Sequence, residues 1–234
     1  SLVNVSGSVR FESLHRLSHM SLPSLQRVGG QVRLNHLGWQ KRSGSDNDYP
    51  DDGPVSFPEL VSVGGDVRIQ SFYRNTGIIM PKLSTIGGWL YMSSPIASYF
   101  SRIPKVTFPE GAPASIDFRS LVSVHSHIRM DNIASYSQRS GRYLNVTLDF
   151  SSLRSVGGYL SANQCRGAMD FPRLENVGNY ISLTALRDNS EDPNPFHINM
   201  PHLTEIHGQT SNRAIYMYDV DATVIDLSGL ERTT

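Results

Sequence analysis

Apolar and polar positions follow one another along this chain in an order that returns. "FPELVSVGGDVRI", Phe57 to Ile69, places apolar side chains at Phe57, Leu60, Val63, Val67 and Ile69, and "MPKLSTIGGWLYM", Met80 to Met92, repeats the order. Val67 and Ile69 alternate with polar residues, as a strand with one buried face does. No segment keeps a 3.6-residue apolar period, so no helix is predicted. Aligned on the Val-Gly-Gly position, the repeats fall at Val5, Val28, Val63, Ile86, Val124, Val156, Val177 and Ile206, with spacings of 23, 35, 23, 38, 32, 21 and 29 residues. A short unit that is repeated with inserts of variable length predicts a solenoid in which each unit forms one coil. Equivalent residues of successive coils then lie roughly 4.8 Å apart. The pairs Gly29-Gly30, Gly64-Gly65, Gly87-Gly88 and Gly157-Gly158 mark the expected bends, where positive φ costs glycine little.

Just before each Phe-Pro-x-Leu stands Ser21, Ser56, Asp117, Asp149, Asp170, Asn199 or Asp226. These residue types accept hydrogen bonds from the backbone N–H groups of a short helical turn. Pro23, Pro58, Pro172 and Pro201, two places later, suit a first turn in which a missing N–H does no harm. The column of carboxylates therefore reads as caps rather than as catalytic acids, since Ser and Asn stand in it as freely as Asp.

Residues between the buried strand positions point outward in three columns. The first runs Ser8, Gln31, Asp66, Trp89, His127, Tyr159 and Tyr180, the second Arg10, Arg33, Arg68, Tyr91, Arg129, Ser161, Ser182 and Tyr216. The third runs Glu12, Asn35, Gln70, Ser93, Asp131, Asn163, Thr184 and Tyr218. One face thus carries an arginine-rich end and an aromatic patch, and the candidate ligand-binding residues are Arg33, Arg68, Trp89, Tyr91, His127, Arg129, Tyr159 and Tyr180. Flat rings and forked guanidinium donors suit a sugar or a protein partner. The competing expectation is ordinary sheet chemistry, with Arg10, Arg33, Arg68 and Arg129 paired to Glu12, Asp66 and Asp131 across strands. Inserts at 36–54, 94–115, 132–147 and 185–197 are expected to leave from the end of this strand and frame the face. With the link between Gln70 and Gly77, which holds Tyr73, they carry Tyr49, Tyr99, Tyr136 and Tyr143, a composition used by adaptable recognition loops.

Other chemistry is thin. "SDNDYPDDG", Ser45 to Gly53, is acidic but lacks the EF-hand spacing and its closing glutamate, so it reads as a solvated turn. His125 and His207 occupy equivalent turn positions three coils apart, too far to share one ion. His125 and His127 are expected to replace the glycine turn in "VHSHIRM". No GxSxG, HExxH, CxxC or phosphate loop is present, and neither a metal nor a cofactor is implied. The Asn4 and Asn145 sequons are no more than chance supplies in a Ser-rich chain.

Composition narrows the classes. The 234 residues are 38% hydrophobic, enough for one long array with a sizeable core, and Lys plus Arg equals Asp plus Glu at 21 each. No net field favours nucleic acid or an anionic membrane. The apolar runs are too short to span a bilayer, so no direct membrane insertion is expected. The single Cys165 excludes an internal disulfide. Ser1 in place of Met, and a repeat that begins at Val224 and stops at Leu230, give the expectation of a piece of a longer protein, with its oligomeric state open.

The pattern Phe-Pro-x-Leu-x-x-Val-Gly-Gly-x-Val-x-Ile resembles the receptor L-domain repeat of insulin- and epidermal-growth-factor-type receptors and of fungal and bacterial surface proteins. The resemblance runs from about Leu2 to Leu230. It implies a mainly β chain forming a right-handed parallel β-helix of about eight coils, related to leucine-rich repeats, as one domain over 1–234. It further implies an extracellular or cell-surface recognition module. The missing disulfides depart from the receptor pattern, and the motif marks core residues, so no functional residue is carried over. The expected function is noncatalytic binding of a glycan or protein ligand. The alternatives are a polysaccharide-active β-helix enzyme, which needs carboxylates converging on an open groove, and a structural adhesin stalk.

Overall fold

The computed structural model describes residues 2–14, 17, 19–35, 37, 54–70, 77–93, 115–133, 135–137, 142–144, 147–165, 169–186, 197–208, 214–222 and 224–233. Among them there are strands and turns but no helix. The strands form three parallel faces. A nine-stranded sheet of two-residue strands runs from Asn4–Val5 to Arg232–Thr233, and an eight-stranded sheet of four-residue strands from Val9–Glu12 to Ile215–Tyr218. The third face is a five-stranded sheet from Met20–Ser21 to Thr147–Asp149 followed by a three-stranded one from Met169–Asp170 to Val224–Asp226. Apart from the break in the third face between Thr147–Asp149 and Met169–Asp170, successive strands of each face pair in parallel one coil on, so the chain is a mainly β, parallel β solenoid. The period-2 pattern and the return of the unit are its cause, because a coil with one apolar face buries it only against its neighbours.

The third face is absent from the reading of the pattern, which assigned its residues only a capping role. Its signal was present two places before each Phe-type position, where Met20, Val55, Ile78, Ile116, Leu148, Met169, Ile198 and Ile225 supply one apolar residue per coil. These are register partners within their sheets, as in Ile78↔Ile116↔Leu148 and Met169↔Ile198↔Ile225.

One further expectation changes. The glycine pairs carry no left-handed φ; that conformation sits on Ser13, Asn132, Gln164, Ala185 and Asp219, each directly after a strand of the eight-stranded sheet. These corners are held by the ladder itself, as where Asn132 N–H donates to Asn163 O and Gln164 N–H to Thr184 O. The glycines are needed because the coils touch: a Cβ at Gly64 would fall inside the contact radius of the Gly29 carbonyl oxygen. The inserts do follow the ends of strands of the eight-stranded sheet, at Asn35, Ser93, Asp131 and Thr184. Asn132 and Ala185 are corner residues, followed by the buried Ile133 and Leu186, while Ser115, Thr147 and His197 already open strands of the third face. The inserts therefore leave the corner between the second and third faces. Of their residues, 135–137 and 142–144 form an antiparallel hairpin with Tyr136 opposite Tyr143; Tyr49, Tyr73, Tyr99 and the acidic Ser45–Gly53 stretch lie outside the described residues.

The core is one continuous column between the faces. Phe118, Phe150 and Phe171 stack along it, with centroids 5.7 and 5.2 Å apart. Cys165 is packed there as a small apolar residue; burial pushes its thiol up to about 12, and its Sγ–H lies against Met130 O and Asn163 O.

Each Phe-Pro-x-Leu segment closes a turn by an N–H to O bond between its fourth and first residues, such as Leu60 to Phe57 and Leu153 to Phe150. The second N–H of the turn is handled in two ways. Where that position is Arg119, Ser151 or Ser228, the preceding Asp117, Asp149 or Asp226 accepts its N–H at 3.1, 3.0 and 2.9 Å. Where it is Pro23, Pro58, Pro81, Pro172 or Pro201, the donor does not exist. Asp170, before Pro172, instead accepts the side-chain amide of Asn199 at 2.7 Å. Burial pushes Asp117 up, but the bonds and charge of Arg119 outweigh it and hold the carboxyl below its ordinary value. Asp117, Asp149 and Asp226 therefore cap turns, while the column members followed by a proline two places on have no such N–H to accept. Asp149→Ala should cost about 1 kcal/mol, whereas Ser56→Ala, with no N–H at Pro58, should stay within about 0.5 kcal/mol. Adding Ser151→Pro to Asp149→Ala should recover part of the loss in chemical denaturation; no recovery would mean that the orphan N–H is not the cause.

Candidate functional site

The outward side of the eight-stranded sheet holds the three columns in the register read from the pattern. Arg10↔Arg33↔Arg68↔Tyr91↔Arg129↔Ser161↔Ser182↔Tyr216 are successive partners, as are Glu12↔Asn35↔Gln70↔Ser93↔Asp131↔Asn163↔Thr184↔Tyr218. The first column lies just before each strand, where its carbonyls take the ladder N–H groups: Trp89 O accepts from Val67, His127 O from Leu90, Tyr159 O from Ile128 and Tyr180 O from Leu160. His127 is thus a member of this column. His125 and Ser126, rather than His125 and His127, fill the places of the glycine pair, as the bonds His125 N–H to Ile86 O and Gly158 N–H to Ser126 O show.

Four of the predicted residues form one cluster. His127 stacks on Tyr159 with centroids 4.1 Å apart and planes at 16°, and Tyr159 stacks on Tyr180 at 5.1 Å and 13°. Trp89 meets His127 at 4.6 Å and 90°, and its centroid is 5.9 Å from that of Tyr159. These three distances describe a near right angle at His127, so Trp89 lies beside the stack, in edge contact with the imidazole. Tyr159 has both faces covered by its neighbours.

Side-chain acceptors tie this column to the backbone of the next coil. Ser8 Oγ accepts Gln31 N–H at 3.1 Å, Asp66 Oδ1 accepts Trp89 N–H at 2.9 Å, and His127 Nδ1 accepts Tyr159 N–H at 2.9 Å. Nδ1 of His127 is therefore unprotonated and its proton sits on Nε2. Burial holds the pKa of His127 below its ordinary value. Burial raises that of Tyr159, helped by the Tyr180 phenol and partly offset by Arg129.

Three of the arginines do pair with the carboxylates of the competing expectation, but only Arg33 across strands; Arg68 and Arg129 take partners two residues away on their own stretch of chain. Arg68 pairs with Asp66 on its own strand side at 2.7 Å, and Arg129 with Asp131 at 2.7 Å. Arg33 Nε lies 2.9 Å from Glu12 Oε1 on the neighbouring strand, an ion pair by distance whose N–H is not aimed at the oxygen. Asp131 is the one buried charged residue among those described, 8% exposed. Two guanidinium groups still belong to the cluster: Arg129 lies over Tyr91 with its Cζ 5.7 Å from the ring centroid, and Arg68 reaches it through Asp66, which also holds Trp89. Arg33 stands apart, a strand further from Trp89. The contribution of Asp66 and Asp131 as buttresses was visible only as their column positions, because a buttress is defined by which side chain it grips.

Among the described residues no three His, Cys, Asp or Glu side chains group closely enough to hold a metal ion, and no helix is long and apolar enough to cross a membrane. The chain matches no family model, no curated protein and no solved structure.

Proposed function

We propose that this chain is a noncatalytic recognition module that binds a glycan or protein ligand through the face centred on Trp89, Tyr91, His127, Arg129, Tyr159 and Tyr180. One observation carries the reading: a half-buried tryptophan stands in edge contact with His127 beside the His127–Tyr159–Tyr180 stack, and its backbone N–H is held by the Asp66 carboxylate. A ring fixed in that way is a preorganised contact that loses little entropy on binding. Trp, Tyr and Arg are also the residue types that dominate the energetics of protein interfaces. The resemblance to receptor L-domain repeats adds a location at the cell surface or outside the cell. Against the enzyme alternative, Asp117, Asp149 and Asp226 are committed to turns, and Asp66 and Asp131 to arginines.

The test is retention of the purified chain on a panel of polysaccharides, glycans and candidate protein ligands, beside Trp89→Ala with Tyr159→Ala. The double substitution should cost about 2 kcal/mol or more of binding free energy, near thirtyfold in affinity, with the unfolding transition still cooperative. A ligand bound equally well by the double variant rejects this face as the site.

A further inference from the structure

His127 is placed where its charge state matters to everything around it. Its Nδ1 accepts the Tyr159 N–H, its face lies on the Tyr159 ring and Trp89 stands in edge contact with it. Gly158 packs against the same nitrogen so closely that a Cβ there would overlap it, so water has no room to replace the bond. An imidazolium has two donors and no acceptor. Protonation would set Nδ1–H against the Tyr159 N–H and leave that amide without its partner.

We infer that protonation of His127 expels its ring from the aromatic ladder and frees Trp89, so that the recognition face is switched off in acid. The effect on binding rests on the recognition reading above; the rearrangement itself needs no ligand to be seen.

Few charges oppose this. Among the described residues the nearest are Arg129, on the same strand and paired with Asp131, and Asp66, next to Trp89 and paired with Arg68. The phenols of Tyr91, Tyr159 and Tyr180 complete the titratable set, and burial raises the pKa of Tyr159 further from the histidine range. The exposed His125, two residues back, has its Nδ1 3.3 Å from Ile86 O. Attraction of an imidazolium to the Tyr159 and Trp89 rings works the other way, but it offsets neither the lost Tyr159 bond nor the burial. Burial already holds the folded pKa of His127 below the ordinary 6.5. The unfolded chain therefore takes up this proton first, so stability is complete above about pH 6.5 and falls as the pH drops from there to the folded pKa.

Trp39 and Trp89 are the only tryptophans, so in a Trp39→Phe background the emission reports Trp89 alone. Between about pH 7.5 and pH 4.5, the range in which histidine titrates, that emission should pass through one transition with its midpoint below the ordinary histidine value. The Tyr159 amide proton resonance should shift at the same midpoint. Both changes should vanish in His127→Gln, whose side-chain oxygen can accept the Tyr159 N–H without titrating, and persist in His125→Gln. A flat emission, or a transition that survives His127→Gln, overturns the inference. Should His127→Gln lose its β signature in circular dichroism, the wild-type His127 ring resonance decides: coincidence with the emission midpoint supports the switch, and separation by about one pH unit or more overturns it. Failure of this titration leaves the retention test unaffected, and failure of retention leaves the titration readable.

Discussion

Phe150→Ala should lower the unfolding free energy by about 3–5 kcal/mol. Phe150 is 2% exposed and stacks between Phe118 and Phe171. Truncation forfeits the transfer free energy of the ring and leaves a cavity that its coil cannot readily close, since that coil is pinned to both neighbours by the ladders of the nine- and eight-stranded sheets and to the preceding one by the third face as well. Folded domains are stable by only about 5–15 kcal/mol, so the loss takes a large share of the whole. It should also split the array: with its middle rung weakened, a solenoid can unfold in two steps, seen as a lowered denaturant slope. Phe150→Met is the control. Met80 and Met200 occupy the same core column in other coils and are fully buried, so this substitution should cost less than about 1.5 kcal/mol. Equal costs for Ala and Met would show that the column is not packed as described.

That column was legible because it obeys a pattern with few exceptions. Phe57, Met80, Phe118, Phe150, Phe171 and Met200 are buried, as are Leu60, Val63, Val67 and Ile69 within one unit, and the spacing between units announced the solenoid before any geometry was known. The outward columns were equally legible, since a strand of period two leaves no choice of face. The third face went unread because each of its strands is only two or three residues long, too short for alternation to show. What it left was a single apolar residue per coil, hidden beside a column of capping side chains.

The candidate site was legible in membership and not in geometry. Register alone brought Trp89, His127, Tyr159 and Tyr180 together, but whether rings in a column stack or splay depends on rotamers that no pattern encodes. Here they stack, which covers the faces of Tyr159 and leaves Trp89 beside the ladder. The role of His127 was misplaced for a related reason: one side chain in "VHSHIRM" replaces a glycine and the other belongs to the strand face, and only the hydrogen-bond register tells them apart.

The second large effect concerns the glycines, whose role the geometry reassigns from bending to contact. Gly64→Ala should cost about 1–3 kcal/mol, because its Cβ would press on the Gly29 carbonyl, and backbone, unlike a long side chain, cannot swing aside. Were the glycines needed for positive φ, the cost would follow φ and would be alike in every coil. If contact is the cause, it depends on having a coil to touch, and the first coil supplies the contrast. Ser6 holds the column of Gly29 and Gly64 there, with a side chain and no coil before it among the described residues, and a Cβ at Gly7 would meet nothing within 4 Å. Gly7→Ala should therefore stay within about 0.5 kcal/mol, while Gly65→Ala, in the same column as Gly7, meets Gly30 at 3.0 Å and should fall between the two. His125 and His207 carry side chains at the Gly64 position in other coils, so a Cβ is tolerated where the whole coil is built around it. The prediction is for a Cβ added to a coil already closed. Denaturant midpoints for the three alanine variants in the order Gly7, Gly65, Gly64 would confirm contact as the constraint, and a Gly7 variant as damaged as Gly64 would return the argument to backbone conformation.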